Sequence, residues 1–336
     1  MKKFLASIIA VVLAVSGLSV ISITANAATI FISGNYEYTV NSDDTVNIAG
    51  YKGIATDITI PSQILNKNVV KISDNSFYNN STLTSVKIPN TIKVVGSMAF
   101  HNCTKLSKVT LPSNLTEIGY NAFEGTTALT TITIPKTVTT AGNNVFNGSA
   151  LKTAAIENGA TAVADNLFSN AKNLTKVTIP NTVKKIGSMS FYHCEKLSSV
   201  ALPNTLTSIE TSAFKNCQAM KSITIPKSVT YFGTTAVGYS DGRVIDGFII
   251  YGYKNTKAQT YATKNKITFK ALQEEPVLVG DINNDGKIDV SDVTYLQMYL
   301  SGNSSYVIKN TKAADANGDG KIDVADVTKI QTIIAS

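Results

Sequence analysis

From residue 77 onward the apolar positions recur at one fixed step. Aromatic residues stand at Phe77, Phe100, Phe123, Phe146, Phe168, Phe191 and Phe214, and the series closes on Val237. A second series runs Leu83, Leu106, Leu129, Leu151, Leu174, Leu197 and Met220. Prolines keep the same step at Pro89, Pro112, Pro135, Pro180, Pro203 and Pro226, with Asn158 where one is skipped; the intervals are 23, 23, 23, 22, 23 and 23 residues. Three series locked to one period predict a solenoid of stacked turns. Within a turn, Leu83-x-x-Val86-x-Ile88-Pro89 alternates apolar and polar residues, and a residue before Pro is biased to extended backbone, so a short strand closed by Pro is predicted. The segment Val94–Phe100 is predicted to return the chain across a turn at Gly96 and to point Phe100 inward. One turn cannot bury that ring alone. Turns stacked about 4.8 Å apart can, and stability is then a sum of single-turn and nearest-neighbour terms. The unit Leu151–Phe168 lacks the Pro and is a residue short, so a bend or a weaker rung is expected there.

The repeated L-x-x-V-x-I-P followed by I-G-x-x-A-F-x-x-C, clearest in Leu174–Pro180 and Ile186–Cys194, resembles the BspA-type leucine-rich repeats of bacterial surface and secreted proteins over about residues 35 to 271. The resemblance implies an N-terminal cap formed by Tyr36–Val40 and Asp44–Ile48. It also implies a closing strand, helix and strand formed by Ile250–Tyr253, Ala258–Ala262 and Ile267–Phe269. Cys103, Cys194 and Cys217 each follow a spine Phe by three residues, where the repeat reserves room for a small buried side chain; a packed thiol is expected at each, with a Cys194–Cys217 bridge left open. His101 and His193 fall in loops and are read as ordinary loop residues.

The two ends differ from this body. Lys2 and Lys3, the apolar stretch from Phe4 to Ile23 and Ala25-Asn26-Ala27 follow the order of a secretory signal peptide, so residues 1–27 are expected to be removed and the mature chain to begin near Ala28 outside the cytoplasm. The other reading of Phe4–Ile23 is an uncleaved anchor, since it is just long enough to span a bilayer. No later segment is apolar enough to do so, and no stable membrane insertion is expected after cleavage.

At the C-terminus, Asp281-x-Asn283-x-Asp285-Gly286-Lys287-x-Asp289-x-x-Asp292 is repeated 34 residues later as Asp315-x-Asn317-x-Asp319-Gly320-Lys321-x-Asp323-x-x-Asp326. Oxygen donors at loop positions 1, 3, 5, 9 and 12, a backbone carbonyl from Lys287 or Lys321 at position 7, and a Gly that permits the sharp turn at position 6 are what a hard Ca²⁺ ion demands. Two ions are expected, one per loop. A calmodulin-type hand would put a helix before each loop and Glu at position 12; here Asp closes both loops, and the clear helices follow them, from about Asp292 to Leu300 and Asp326 to Ile334. Duplicated loop–helix units of this kind, over residues 280 to 336, resemble a type I dockerin, the module that plugs bacterial enzymes into cohesins on a scaffold protein.

In that family the recognition residues sit at loop positions 10, 11, 17 and 18. Carried over, they are Val290, Ser291, Gln297 and Met298, then Val324, Ala325, Gln331 and Thr332. They lack the Ser-Thr and Lys-Arg pairs of the best-known dockerins, which points to a different cohesin class. The stretch from Asn303 to Ala314 is less helical than the family leads one to expect.

The fold class is therefore mainly β, a leucine-rich-repeat solenoid followed by a small all-α calcium-binding module of paired EF-hand-like loop–helix units. The expected domains are 28–272 for the repeats with their caps, 273–279 for a linker and 280–336 for the dockerin.

Composition narrows the function classes. The formal charge of +7 divides into +2 for the signal segment, −3 for the tail and +8 for the body, almost all of it Lys, with Arg243 the only arginine. Nucleic-acid readers favour Arg forks, so that partner is not expected. The strand-face residues Thr84, Ser85, Lys87, Ser107, Lys108, Thr110, Thr175, Lys176 and Thr178 form a Ser/Thr/Lys ladder, read as a solvated face with an electrostatic site for an anionic glycan or acidic protein as the alternative.

With two His, no Trp and no paired acidic series on the strand face, a non-catalytic interaction protein is expected. It would be held by its dockerin to the cohesin of a scaffold at the cell surface, and would bind protein or polysaccharide in plant polysaccharide degradation. The alternative is a glycoside hydrolase subunit, since dockerins usually carry such enzymes; it would need two carboxylates facing one cleft.

Overall fold

The computed structural model describes residues 20–21, 29–273, 277–308 and 310–336. The expected signal segment lies outside the described residues apart from Val20–Ile21. The chain divides into two compact units, one up to Leu272 and one from Gln273.

The first unit opens with an antiparallel meander, Ile30–Ser33, Tyr36–Val40 and Val46–Tyr51, with a bulge between Glu37 and Tyr38. Val46–Tyr51 then accepts Lys67–Ile72 in parallel, and the solenoid begins. The turns build two parallel ladders rather than the one read from the sequence. The first ladder holds the strands before Pro. It runs as three separate pieces: Asp57–Thr59, Ser85–Lys87 and Lys108–Thr110; then Thr131–Ile134, Thr153–Ile156 and Lys176–Thr178; then Ser222–Thr224, Ile249–Gly252 and Thr268–Ala271. The second ladder holds two-residue strands. Val94–Val95, Glu117–Ile118 and Thr140–Ala141 continue the capping sheet, and Ala162–Val163, Lys185–Ile186, Ser208–Ile209 and Tyr231–Phe232 form another.

The breaks have local causes. The first ladder is interrupted after Thr110 and again around Val200, where no strand forms. These are the two turns in which Leu111 and Leu202 precede Pro, where Ile88, Ile134, Ile179 and Ile225 stand elsewhere. A γ-branched side chain gives up the stiff extended preference of Ile, and Val109 and Val200 beside them are only half-buried. The second ladder is interrupted between Thr140–Ala141 and Ala162–Val163, across the unit that is one residue short; the expected weak rung falls there, while the first ladder runs on unbroken.

Between the ladders lies the spine. Phe77, Phe100, Phe123, Phe146, Phe168, Phe191 and Phe214 are buried and stacked in sequence, with ring centroids 4.9 to 5.9 Å apart and interplanar angles of 3 to 22°. Leu83, Leu106, Leu129, Leu151, Leu174, Leu197 and Met220 form the second buried column. Cys103, Cys194 and Cys217 are free, buried thiols that donate to the carbonyls of Phe77, Phe168 and Phe191. Burial pushes Cys103 and Cys217 up to about 12 and holds Cys194 well above its ordinary value.

Two backbone details tie one turn to the next. Gly96, Gly119, Gly142, Gly187 and Gly233 do not sit at positive φ. A Cβ on Gly96 would fall 2.7 Å from the backbone nitrogen of Asp74, and one on Gly119 within 2.6 Å of the Gly96 carbonyl carbon; these glycines permit close approach between turns rather than a reversal. One left-handed position lies elsewhere in the turn, at Asn121, Asn144 and Asn166, with Met98, Met189, Ser212 and Thr235 taking the same place at φ of 51 to 55°, and a second follows four residues later at Asn102, Gly125, Gly148, Asn170, His193 and Asn216.

Part of the strand-face hydroxyl series is structural. Thr84, Ser107 and Thr175 donate to carbonyls of the preceding turn, at Thr56, Thr84 and Lys152. His101 stacks on Tyr78 with its Nδ1 3.4 Å from Glu124, and Nε2 of His193 is 2.6 Å from the Asn216 amide nitrogen.

The unit closes with the hairpin Tyr239–Ser240/Arg243–Val244, the helix α1 (Lys257–Lys264) and the last strand, Thr268–Ala271. The second unit has its own core of Ile282, Val293, Leu296, Ala314, Ala316, Val327 and Ile330. Its helices are α2 (Val290–Leu300), α3 (Thr311–Ala314) and α4 (Val324–Ala335).

Candidate metal and docking site

Each acidic loop of the second unit is wound around its first aspartate. Asp281 accepts from the backbone N–H of Asp285 at 3.1 Å through Oδ1 and from Gly286 at 3.0 Å through Oδ2. Asn283 Oδ1 also accepts from Asp285, and Asp285 Oδ1 from Lys287. The second loop repeats the pattern. Asp315 accepts from Asp319 at 3.0 Å and Gly320 at 2.9 Å, Asn317 from Asp319, and Asp319 from Lys321. Gly286 and Gly320 have φ of 86 and 85°, and position 4 is left-handed too, at Asn284 and Gly318, with φ of 62 and 78°. The position-6 glycine is the expected left-handed residue; the second one, at position 4, is signalled in the sequence by an Asn in one loop and a Gly in the other.

The position-12 carboxylates are the best-held groups. Asp292 is fully buried, with Oδ1 accepting from Ile282 and Asn283 and Oδ2 from Asp289. Asp326 is equally buried and accepts from Asn317 and Asp323. Both helices begin two residues earlier than the sequence pattern suggested because position 9 is the N-cap. Asp289 accepts from Ser291 N, Asp323 from Ala325 N, and each forms a capping box with the position-12 aspartate. The Ser291 hydroxyl and backbone N–H hold the Asp289 carboxyl below the usual carboxylate range.

Among the described residues no three His, Cys, Asp or Glu side chains are already gathered at metal-binding separation, the loop carboxylates being engaged by backbone N–H groups. The donor chemistry nevertheless fits a hard cation. Each loop offers carboxylate, amide and carbonyl oxygens and nothing softer, and each holds at position 12 a buried carboxylate that accepts from backbone N–H groups. Asp281, Asn283, Asp285, Lys287, Asp289 and Asp292 lie in one loop, and Asp315, Asn317, Asp319, Lys321, Asp323 and Asp326 in the other.

The two loop–helix units pack as near copies. Ile282 matches Ala316, Val293 matches Val327 and Leu296 matches Ile330 in the shared core. Between them, Tyr295 meets Tyr306 edge-on at 4.9 Å, and its hydroxyl donates to the Val307 carbonyl. Among the described residues the stretch from Asn303 to Ala314 carries only the one-turn α3, capped by Asn310. At the expected recognition positions Val290 and Val324 are 67 and 70% exposed, an unusual place for two Val side chains. Ser291, Gln297, Ala325, Gln331 and Thr332 are also exposed, and Met298 is half-buried.

A solenoid of 23-residue turns and a paired acidic loop–helix module define the class of this protein. Residues 55–175 and 161–241 match the family described as BspA type leucine rich repeat region, in six copies, and residues 279–334 match the dockerin type I domain. The chain belongs to the BspA-type leucine-rich repeat proteins and carries a C-terminal type I dockerin domain.

Among solved structures it is similar to a leucine rich repeat protein of T. pallidum, with 26% identity over 70% of this chain and 95% of that one and a TM-score of 0.47. It is also similar to a leucine-rich repeat protein from Bacteroides ovatus, with 24% identity, 72% and 67% coverage and a TM-score of 0.51, a likeness of fold. A leucine rich cell surface protein from Faecalibacterium prausnitzii is 24% identical over 74% of this chain and 96% of that one, with a TM-score of 0.45. No curated protein matches the chain. Type I dockerins bind calcium and dock to cohesins, and neither matched family is catalytic. No helix among the described residues is long and apolar enough to cross a membrane.

Proposed function

We propose that this is an exported, non-catalytic interaction protein. Residues 280–336 would plug it into a cohesin on a scaffold outside the cell, and residues 28–272, beyond the export signal and joined through 273–279, would present a binding surface for protein or polysaccharide during plant polysaccharide breakdown. The observation that carries the reading is the duplicated loop: the same backbone N–H groups are held by aspartates at positions 1 and 12 of each copy, and each loop leads into a capped helix.

One Ca²⁺ per loop would neutralise the buried Asp292 and Asp326 and couple metal binding to the order of α2 and α4. Val290, Ser291, Gln297 and Met298, with Val324, Ala325, Gln331 and Thr332, then form the cohesin-facing surface, whose two exposed valines favour an apolar contact.

The test is surface plasmon resonance of the full chain over a panel of immobilised cohesins, with calcium and then with chelator. Binding to at least one cohesin, abolished by chelator and by the paired Asp281→Ala and Asp315→Ala changes, is expected. Unchanged affinity in the double variant, or no binding to any cohesin, refutes the proposal.

A further inference from the structure

The spine ends at Phe214, and Val237 takes the next place in the series. The two ladders end differently. The first continues through Ile249–Gly252 and Thr268–Ala271, whereas the second stops at Tyr231–Phe232, and no further strand covers its edge among the described residues. Tyr231 and Gly233 both give their N–H groups to the preceding turn, at Thr207 and Ile209, so strand alternation leaves the backbone of Phe232 on the open side.

Helix α1 lies across that side. Lys257, Thr260, Tyr261 and Lys264 are spaced i, i+3, i+4 and i+7, which puts them on one helical face. Between helix and edge strand is a cavity of about 390 Å³ that they help to line. Its floor is rigid. Phe232 and Tyr261 stack at 4.6 Å, Tyr261 OH is bonded to both backbone groups of Val237, and Tyr239 OH donates to Asn265, whose amide donates to the Tyr261 carbonyl. Burial pushes the Tyr261 phenol up to about 12, so it stays a neutral hydroxyl.

The rim has a different chemistry. Tyr231 exposes half its surface, and Thr230, Thr234 and Thr260 are exposed beside it, with the Thr230 and Thr260 hydroxyls donating to the Thr207 and Thr256 carbonyls. Lys257 and Lys264, two helical turns and about 10.5 Å apart along the axis, set two cations on the same wall. None of the lining residues is acidic.

We propose that this cavity binds an acidic oligosaccharide of the uronate type. The exposed Tyr231 ring offers a face for a pyranose, the threonine hydroxyl oxygens, two of them fixed by their own donation to backbone, accept from sugar hydroxyls, and the two lysines pair with carboxylates on successive parts of the chain. The volume falls in the range of small-ligand sites. An acidic peptide would satisfy the lysines but would leave the hydroxyl-rich rim without matching groups.

This inference rests on reading the repeats as a binding body. The full calcium-saturated chain, dialysed free of excess ion, is titrated calorimetrically with tetragalacturonate, with neutral cellotetraose and with a hexaglutamate peptide. Because the chain has no Trp, quenching of its tyrosine fluorescence gives a second readout.

Binding of the uronate alone is expected, with a loss of about tenfold in Tyr231→Ala and in the paired Lys257→Gln and Lys264→Gln variant, and with strong salt dependence. All three side chains are exposed, and unchanged circular dichroism and cohesin docking certify the variants as folded. Uronate binding that these variants leave intact overturns the pocket but keeps the repeats as a glycan binder. Preference for the peptide, or no binding of any probe, also overturns it. Failure of the whole repeat region to retain any glycan or extracellular protein in a pull-down would instead refute the reading beneath it.

Discussion

Phe123→Ala removes a fully buried ring from the middle of the spine, where it stacks on Phe100 at 5.2 Å and 3° and on Phe146 at 5.6 Å and 10°. Truncating such a side chain costs about 3–5 kcal/mol, and about 1–3 kcal/mol of it belongs to the two ring pairs. Phe123→Leu keeps most of the volume and loses mainly the pairing, so about 1–3 kcal/mol is expected. Phe214→Ala, with Phe191 as its one stacked ring, should lie below Phe123→Ala by about one ring pair, ~0.5–1.5 kcal/mol.

Urea denaturation followed by far-UV circular dichroism measures all three. The central variant should also unfold with a shallower slope, because a lesion at mid-array uncouples the turns on either side. A Phe123→Ala cost below about 1 kcal/mol, the level of an ordinary surface change, would refute the spine argument. A Phe214→Ala cost equal to that of Phe123→Ala would refute the neighbour argument.

Gly119→Ala should destabilise by about 1–3 kcal/mol, because its Cβ meets backbone of the previous turn that cannot rotate away; calorimetry reads the drop in melting temperature, and an unchanged value contradicts the close-approach account. The three cysteines should stay inert to a thiol reagent at mildly alkaline pH in the native chain and react together once it is denatured, since burial raises every one of them. Asp289 titrates below the usual carboxylate range when folded, so its contribution to α2 is complete above the unfolded value and is lost as the pH falls through the lowered one. In chelator the tail's helical circular dichroism should therefore fade in acid, and Ser291→Ala should move that loss to higher pH; an unmoved midpoint would separate Asp289 from the helix.

The features carried by the period were legible in the sequence: the Phe and Leu spines, the strands before Pro, the small buried Cys and the order of caps. The tail was legible for a different reason, because a hard ion's donor spacing is written locally in twelve consecutive residues. What stayed hidden depends on a neighbouring turn. Val94–Val95 is too short to show alternation, and it becomes a strand only because Lys67–Ile72 and Glu117–Ile118 flank it. Gly96 looks like a turn residue in the sequence, but its requirement is set by Asp74 of the turn before. The ladder breaks at Leu111 and Leu202 had a signal, Leu in place of Ile, yet strand preference is decided by packing that a single sequence does not display. The cavity beside α1 was out of reach for the same reason: Tyr231, Lys257 and Lys264 are brought together only by the fold.

The interruptions in the two ladders do not coincide. Where the first lapses, between Thr110 and Thr131, the second carries Glu117 beside Thr140; around Val200 it carries Lys185, Ser208 and Tyr231; and where the second lapses, between Ala141 and Ala162, the first carries Ile132, Ala154 and Val177. The joints are staggered like courses of brick, so no single seam crosses the repeat unit. A break between two turns in one ladder is thus bridged by the other, so among the described residues every pair of neighbouring turns keeps at least one run of strand pairing.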